Sequence, residues 1–272
     1  MIPKVIHYCW FGKAPIPPAA KKCIESWKKY CPDYTIVQWN ENNYNVNKNK
    51  YMSDAYKEKK WAFVSDYARI DIIFENGGVY FDTDVELVAP IDKFLNDGLF
   101  CGWENRDPLL DKIGQAYENS VAFGLGFGAE KGHPVLKKIL DIYENISFYN
   151  NDGSLNLVAC PRYQTEVLTS FGLNVKERSY QKFYANGYKI VVYPEEFFSP
   201  KSILTGKIHQ EKNTVAIHHF SMSWVDPETR KIKELEWKLC YWISYSHAKK
   251  IVKVISIPLR IKRKFHQILN SK

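Results

Sequence analysis

The sequence predicts an α/β fold, and three observations lead to that prediction. Strand-like and helix-like segments alternate along most of the 272 residues, which is the pattern of a sheet covered by helices. Hydrophobic residues make up 45% of the chain, enough to bury one sizeable core. The short apolar segment 79–81 runs straight into Asp82 and Asp84, and open α/β sheets bind their ligands at the carboxyl ends of such strands.

The first part of the chain predicts two strands and two helices. Lys4–Trp10 is a largely apolar run typical of a buried strand, and a Pro/Gly loop separates it from the helical segment Pro18–Tyr30, which ends before Pro32. Tyr34–Trp39 is rich in β-branched and aromatic residues and is the second predicted strand. A polar, Asn-rich loop then leads to the predicted helix Asp54–Glu75.

The alternation continues beyond Gly77 and Gly78, which supply the left-handed stop of that helix. Further strands are predicted at Leu99–Trp103, Val121–Phe127, Lys189–Tyr193 and Thr214–His219, and further helices at Pro134–Tyr143 and Tyr163–Phe171. The sequence contains no internal repeat and no low-complexity linker. We therefore predict one domain over residues 1–227 and a basic helical tail over residues 228–272.

The cysteines and the opening residues bear on the cellular compartment. No two cysteines form a C-x-x-C pair, and their scatter is not typical of a disulfide framework or a zinc site. Buried free thiols in a reducing compartment are the preferred interpretation. We find no charged leader followed by a long apolar stretch, and no apolar run long enough to cross a bilayer. These features predict a cytoplasmic protein. The six cysteines are Cys9, Cys23, Cys31, Cys101, Cys160 and Cys240.

The net charge of +8 is concentrated at the carboxyl end. Residues 231–272 carry 11 Lys/Arg against two Glu, whereas residues 1–230 carry 27 Lys/Arg against 28 Asp/Glu. A nucleic-acid-binding domain carries its basic surface on the folded domain itself. The distribution therefore argues against nucleic acid as a partner.

The two carboxylates after segment 79–81 are the strongest chemical signal. On an extended backbone, Asp82 and Asp84 would point to the same face. Two close carboxylates resist joint ionisation unless a cation or water reaches both. Mn²⁺ or Mg²⁺ accepts carboxylate and phosphate oxygens together, so the pair predicts a metal-diphosphate site. A solvated turn is the alternative for a D-x-D triplet taken alone.

Three residues of the preceding helix add to this signal. Ser65, Asp66 and Arg69 are spaced so that each of the first two shares a helical face with the arginine. An ordinary intrahelical Asp–Arg pair explains that spacing as well as a functional site does.

Taken together, these segments resemble the DXD-containing sugar transferases of the family 32 type. That group includes fungal initiating mannosyltransferases and bacterial capsule-polysaccharide transferases and, more distantly, the glucosylating clostridial toxins. The resemblance covers roughly residues 1–225, and three separate motifs in the same order make it specific. Its motifs are Ile2–Gly12, Phe63–Arg69 continuing through Gly77–Asp84, and Ala216–Trp224.

The resemblance implies a GT-A fold with a single Rossmann-like domain, retention of the α configuration, and a set of site roles. Catalytic positions would be Asp82, Asp84 and Arg69, and the metal would be held by Asp82, Asp84 and His219. His218 and His219 alternate faces on a strand, so at most one is expected to face the metal. The donor would be bound by Trp10, Ser65, Asp66, Arg69, Tyr80, Asp82, Ser223 and Trp224.

One segment departs from the family pattern, and a second segment has two possible interpretations. The family often carries Gly-Pro before a late helix, whereas this chain has Cys160-Pro161 there. That departure leaves the identity of the donor sugar open. The glycine-rich loop 119–128 is interpreted as a flexible segment on the acceptor side, with strand bulges as the alternative for its glycines.

The tail mixes basic and apolar residues in short periods, in segments 249–255 and 259–265. A helix of this kind suits an anionic inner leaflet, and Pro258 is expected to break or kink it. A solvated helix packed on the domain is the alternative. The sequence thus predicts a cytoplasmic protein that binds the inner face of a membrane peripherally.

The predicted function is the metal-dependent transfer of a sugar from a nucleotide-diphosphate donor, with a UDP-sugar preferred, to a polysaccharide or lipid-linked glycan. Two alternatives remain open. One is a non-catalytic nucleotide-sugar or glycan-binding module, and the other is a metal-dependent phosphohydrolase, which usually needs more clustered carboxylates or histidines than this chain offers.

Overall fold

The computed structural model describes residues 1–105, 107, 119–222 and 225–257. In chain order, the strands and helices are β1 Val5–Cys9, α1 Pro18–Tyr30, β2 Thr35–Trp39, α2 Lys50–Lys57, α3 Trp61–Asn76, β3 Gly78–Tyr80, β4 Val85–Leu87, β5 Leu99–Gly102, β6 Phe127–Ala129, α4 Pro134–Asn145, α5 Cys160–Ser170, β7 Gln181–Ala185, β8 Tyr188–Tyr193, β9 Ala216–His218, α6 Pro227–Cys240 and α7 Tyr245–Ile255.

Seven of the strands form one mixed sheet in the order β2-β1-β3-β6-β5-β8-β7. Strand β1 runs parallel to both of its neighbours, and β5 runs parallel to β8. Strand β6 lies antiparallel between β3 and β5, and β7 is antiparallel to β8. Five strands thus share one direction and two run against it. This sheet with its covering helices confirms the predicted α/β class. Strands β4 and β9 form a separate two-stranded sheet.

Each face of the large sheet packs against its own hydrophobic core. Alternate strand residues such as Cys9, Tyr80 and Cys101 join the core beneath helices α2 to α5. Their neighbours Tyr8 and Phe100 join the opposite core, which is covered by α1 and the small sheet. The period of two along a strand divides the apolar residues between the faces in this way. Strands buried on both faces read as continuous apolar runs, which is why the sequence signal was strong.

The predicted helix Asp54–Glu75 is two helices in the structure. Helix α2 begins four residues earlier than predicted, with the side chain of Asn49 accepting a hydrogen bond from Met52 N at 3.2 Å as its N-cap. The chain then turns through Lys59, whose φ is +54°, before α3 starts. The predicted stop is confirmed, since Gly77 and Gly78 have φ angles of +68° and +106°.

Two further differences concern strands. Within the predicted strand Val121–Phe127, residues Phe123–Leu125 form a 3₁₀ turn, and strand β6 begins only at Phe127. The sequence analysis missed β7, although the Asn186-Gly187 pair that joins it to β8 was a readable hairpin signal. Both residues have positive φ, 51° and 86°, as a two-residue hairpin turn requires.

The six cysteines are free and buried, which confirms the predicted state of the thiols.

The predicted tail is described as far as residue 257 and consists there of two helices, α6 and α7, which begin at Pro227 and Tyr245. Pro258 and segment 259–265 lie outside the described residues. Within the part that is described, we find no helix with the length and apolar character needed to cross a membrane. The division at residue 227 remains a prediction.

Candidate functional site

The two aspartates lie in a tight turn at the carboxyl edge of the large sheet. Strands β1 and β3 are parallel neighbours, so the residues that follow them meet at one edge. The backbone N–H of Val85 donates to the carbonyl of Asp82 at 3.0 Å, which closes the turn around Thr83. The extended backbone that the sequence analysis assumed is therefore wrong. The turn nevertheless brings both carboxylates to one place.

Arg69 lies between two carboxylates beneath this turn. Its Nη2 is 3.0 Å from Asp66 Oδ1 and 3.2 Å from Asp82 Oδ1. Its Nε donates to the carbonyl of Ser65 at 3.2 Å. The arginine side chain is only 6% exposed, so a buried cation links helix α3 to the first aspartate of the turn. The helical spacing of Asp66 and Arg69 thus serves more than an intrahelical pair.

Tyr80 and Gly124 complete the surroundings of Asp82. The hydroxyl of Tyr80 donates to Asp82 Oδ1 at 3.1 Å, and the Tyr80 ring lies 5.2 Å from the Arg69 guanidinium. The backbone N–H of Asp82 donates to the carbonyl of Gly124 at 3.3 Å. A Cβ at position 124 would lie 2.4 Å from Asp82 Oδ2 and 2.9 Å from Arg69 Nη1. A glycine is therefore needed here for close approach.

Loop 121–125 is held in place by two side chains of α5. Gln164 Oε1 accepts from the backbone N–H of Phe123, and Thr165 Oγ1 accepts from that of Val121, both at 2.9 Å. All five loop residues are buried. The expected flexibility of this segment is contradicted over residues 121–125, because these hydrogen bonds and the contacts of Gly124 fix them against Asp82. A role on the acceptor side stays a prediction.

Asp84 is held by the end of strand β9. In the register of the small sheet, Val85 lies opposite His218, and His218 Nε2 is 3.2 Å from Asp84 Oδ1. The backbone N–H of Ser221 donates to Asp84 Oδ2 at 2.7 Å. Phe220, whose ring packs on His218 at 4.5 Å, has a φ of +51°. Positive φ in an aromatic residue is strained and is found most often where function requires it.

The structure places His218, and not the preferred His219, in one group with Asp82 and Asp84, while the identity of the metal ligand stays a prediction. The ring of His219 points away from the aspartate pair, and its Nε2 lies 2.8 Å from Glu86 Oε2. His218 is the last residue of β9 and His219 follows it, and successive side chains on an extended backbone turn to opposite faces. His218 is the residue that joins Asp82 and Asp84.

Burial and neighbouring charges set the protonation states of the site. Burial raises the pKa of Asp82 and of Asp66, and Arg69 opposes the rise at both. Burial alone would also raise the pKa of Asp84, but His218 and the N–H of Ser221 bring it below its ordinary value. The pKa of His218 is raised because Asp84 outweighs the cost of burying a charged ring.

The donor set fits a hard divalent cation. One ligand atom from each of Asp82, Asp84 and His218 lies within 4.8 Å of the other two. Two carboxylates and an imidazole are suitable ligands for Mn²⁺. The Nε2 atom of His218 is the ring nitrogen that faces Asp84, at 3.2 Å, so it is the atom placed to share a cation with the carboxylates. The three residues could hold the ion that the sequence predicts.

The other residues predicted to bind the donor are Trp10, Ser65, Ser223 and Trp224. Trp10 follows β1 at the same sheet edge, half-buried, and its Nε1 donates to the carbonyl of Ala14 at 2.6 Å. Ser65 is half-buried on α3. Ser223 and Trp224 lie outside the described residues.

Sequence reasoning missed Lys201. This lysine is buried, its Nζ donates to the carbonyl of His219 at 2.7 Å, and it lies 4.1 Å from the Trp237 ring centroid on α6. It therefore connects the end of β9 to the tail. Lys201 lies far from both partners in the sequence, and no local motif marks it.

The segment that carries these aspartates also matches a known family. Residues 17–100 match the family model described as the glycosyltransferase sugar-binding region containing the DXD motif. The chain carries a DXD-type sugar-binding region. The match confirms the predicted resemblance to the DXD-containing sugar transferases over these residues. Asp66, Arg69, Asp82 and Asp84 lie inside the matched residues, whereas His218 lies beyond them.

Two curated relatives are similar to this chain over somewhat more than half of its length. An uncharacterized glycosyltransferase of Acanthamoeba polyphaga mimivirus is 29% identical over 160 residues, which are 57% of this chain and 59% of that protein. Inositol phosphoceramide mannosyltransferase 1 of Schizosaccharomyces pombe is 27% identical over 161 residues, 55% of this chain and 44% of that protein. The chain spans about half the length of the relatives it matches.

Two solved structures of glycosyltransferases are similar to this chain at a low level. The PaToxG glycosyltransferase gives a TM-score of 0.46 at 21% identity over 62% of this chain and 69% of that chain. A glycosyltransferase involved in glycosylation of the major capsid of PBCV-1 gives 0.42 at 13% identity over 85% and 98%. Both TM-scores are below 0.5, and the similarity to the DXD family is carried by the sequence match over residues 17–100.

Proposed function

We propose that the chain is a metal-dependent, retaining glycosyltransferase with a nucleotide-diphosphate sugar as donor. The observation that carries this proposal is the meeting of Asp82, Asp84 and His218 at one point inside an α/β fold whose residues 17–100 match the DXD sugar-binding family. A GT-A type of domain and retention of configuration follow from the family resemblance.

In this proposal, Asp84 and His218 are the primary ligands of Mn²⁺ or Mg²⁺, and Asp82 is the third ligand that the protein supplies. The proposed ligand is His218 in place of His219, because of the distances to Asp84. The bound ion would neutralise the negative charge that develops on the departing diphosphate. The N–H of Ser221, 2.7 Å from Asp84 Oδ2, keeps that carboxylate oriented and ionised, as a metal ligand must be.

Arg69 has the role of a buried counter-charge in this proposal. Its guanidinium holds Asp66 and Asp82 at 3.0 and 3.2 Å, so both carboxyl groups keep one geometry. Asp66 and Asp82 are then available to accept hydrogen bonds from the hydroxyls of the donor's ribose or sugar. Ser65, Tyr80 and Arg69 are further residues of the proposed donor site. Arg69 is also proposed as a catalytic residue.

The nucleotide end of the donor is assigned to the residues around the sheet edge. Trp10 follows β1 beside the turn that carries Asp82, and its half-exposed ring offers a face on which a base can stack. Ser223 and Trp224 are proposed to close over the diphosphate, by resemblance to the family. We propose a UDP-sugar, with GDP-mannose as the donor to test beside it.

The acceptor is proposed to be a polysaccharide or a lipid-linked glycan. One similar protein is named as a mannosyltransferase of inositol phosphoceramide, which is a lipid acceptor. The basic tail is consistent with such a surface-bound acceptor, and peripheral binding at the cytoplasmic face of a membrane forms part of the proposal.

A donor screen tests the proposal directly. Purified protein would be incubated with Mn²⁺ and a panel of UDP- and GDP-sugars, and released nucleotide diphosphate would be measured. We expect slow hydrolysis of one donor that is lost with a chelator and with Asp84→Asn. Glu86→Gln is the matched control, because Glu86 lies two residues away but pairs with His219 and not with the metal group.

The products and the binding data separate the alternatives. Release of free phosphate in place of nucleotide diphosphate would indicate the phosphohydrolase. Donor binding without turnover, seen as a metal-dependent rise in melting temperature, would indicate the binding module. The proposed donor site would be ruled out if every donor failed both to turn over and to shift the melting temperature.

A further inference from the structure

We propose that one face of helix α7, together with Trp242 in the turn before it, docks on an anionic lipid surface. This inference rests on the membrane location within the proposed function and names the residues that make the contact. Of the twelve large hydrophobic side chains that are exposed among the described residues, six lie between positions 241 and 257. Such a concentration marks an interaction surface, since single exposed apolar residues are ordinary but clustered ones are not.

Helix α7 packs on the rest of the chain through a face that differs from the one with the exposed apolar residues. Ala248, Val252 and Ser256 recur every fourth residue and are buried. They are the residues by which the helix contacts the rest of the chain. Their burial fixes which side of the helix faces outward.

The outward apolar stripe consists of Ile251, Val254 and Ile255, at helical positions i, i+3 and i+4. These side chains are 41%, 66% and 55% exposed. Nothing in the packing of α7 on α6 requires large apolar residues at these positions. The stripe is defined here as the docking stripe.

Lysines border the docking stripe and indicate the charge of its partner. Lys250 lines the same shallow surface as the stripe, and Lys253, which precedes Val254, is exposed on the same helix. An apolar stripe bordered by lysines is complementary to an anionic lipid surface, where the stems lie along the acyl boundary and the ammonium groups meet the headgroups. A second copy of this chain would bring the same positive charges together.

Trp242 supports a lipid partner independently of α7. It is 89% exposed in the turn between α6 and α7, next to Tyr241, which is 60% exposed. Trp and Tyr are enriched at the level of lipid headgroups, because their rings are apolar and each carries one hydrogen-bond donor.

The docking stripe is connected to the candidate site through α6. Trp237 Nε1 donates to the carbonyl of Ile203 at 3.0 Å, and Lys233 Nζ donates to that of Leu204 at 3.1 Å. Lys201 lies against the Trp237 ring and holds the carbonyl of His219. The lipid-facing helices therefore have a fixed attachment near the end of β9, which suits an acceptor presented at the same surface.

Vesicle sedimentation with the full chain, without donor or metal, tests this surface. We expect binding to phosphatidylcholine vesicles that contain phosphatidylglycerol, and little binding to phosphatidylcholine alone. Val254→Asn combined with Ile255→Asn should weaken binding about tenfold or more, and so should Lys250→Glu combined with Lys253→Glu. Trp242→Ala should weaken it to a smaller degree.

The controls match charge and polarity elsewhere on the surface. Lys21→Glu with Lys22→Glu makes the same change of net charge at two exposed lysines of α1, and should leave binding within about twofold. Tyr184→Asn removes an exposed apolar residue on β7 and should have no effect. Unchanged melting temperatures exclude unfolding, because all the substituted side chains are exposed.

Three results would overturn the proposal: no binding of the wild-type chain to anionic vesicles, equal binding of the α7 variants and wild type, or a dimer that Val254→Asn dissociates in the absence of vesicle binding. Donor hydrolysis is measured separately in solution. Its failure would count against the proposed transferase and leave the vesicle result unaffected.

Discussion

The Nε2 atom of His218 lies 3.2 Å from Oδ1 of Asp84, and this contact joins two parts of the chain that are more than 130 residues apart. It exists because β9 pairs with β4 directly after the aspartate turn, in a register that sets His218 opposite Val85. The contact lowers the pKa of the aspartate and raises that of the histidine. The end of β9 therefore belongs to the candidate site as much as the DXD turn does.

The two adjacent histidines should respond very differently to substitution. His218→Ala removes a ligand from the group that it forms with Asp82 and Asp84, and we expect Mn²⁺ affinity to fall by about tenfold or more. His219→Ala removes only a partner of Glu86 and should change affinity less than about threefold. Mn²⁺ titration followed by electron paramagnetic resonance would measure both. Equal losses in the two variants would contradict the assignment.

Gly124 should tolerate no side chain. In Gly124→Ala, the new Cβ would lie 2.4 Å from Asp82 Oδ2, so the carboxylate or the loop must move. We expect donor turnover to fall by about a hundredfold, since small displacements of reacting groups are costly, with a lower melting temperature. Gly132→Asn is the control, because nothing lies within 4 Å of a Cβ there and Asn accepts its φ of +73°. Wild-type turnover in Gly124→Ala would show that loop 121–125 does not position Asp82.

Removing the buried charge of Arg69 should destabilise the whole fold. Arg69→Met leaves Asp66 and Asp82 close together without their shared cation, and breaking a buried pair in this way costs about 3–5 kcal/mol. Urea unfolding would measure the loss. Lys137→Met serves for comparison, because its partner Asp141 and the lysine itself are about half exposed and such pairs contribute about 1 kcal/mol or less. Similar losses of stability in the two variants would mean that the buried Arg69 contributes no more to the free energy of unfolding than an exposed lysine does.

His7 should make the fold less stable in mild acid. Burial lowers its pKa from 6.5 to about 4. The neutral ring accepts from Trp39 Nε1 at 3.0 Å and lies 3.1 Å from the carbonyl of Gly77. Above pH 6.5 neither the folded nor the unfolded state is protonated at His7, and its contribution is complete. On acidification the unfolded chain takes up the proton first, so stability falls between pH 6.5 and about 4 and then levels off for this group.

Urea unfolding across that pH range checks the effect of His7. We expect the wild type to lose about 3 kcal/mol from this group, by the relation between pKa shift and free energy. His7→Gln should flatten part of the slope. His133, whose pKa burial also lowers to about 4, should retain its own share. A slope that His7→Gln leaves unchanged would show that the ring is not the titrating group.

Much of the fold could be predicted because its signals are local. The apolar run of β3, the glycine stop after α3 and the β-branched strand β2 each encode their own conformation within a few residues. The aspartate pair and its upstream arginine could be found for the same reason, since their spacing is short. The missed hairpin strand β7 was also locally marked, by the Asn186-Gly187 turn.

The sequence by itself determined the α/β class, the aspartate pair of the DXD motif and the helical segment that supplies Asp66 and Arg69, because those features depend on neighbours along the chain. Only the tertiary structure decided that His218 faces Asp84, that Gly124 must lack a side chain and that Lys201 links β9 to the tail. Each of these depends on strand register or on close approach between distant segments. A shift of one residue in the pairing of β9 would exchange the two histidines, and no pattern within residues 216–219 fixes that register.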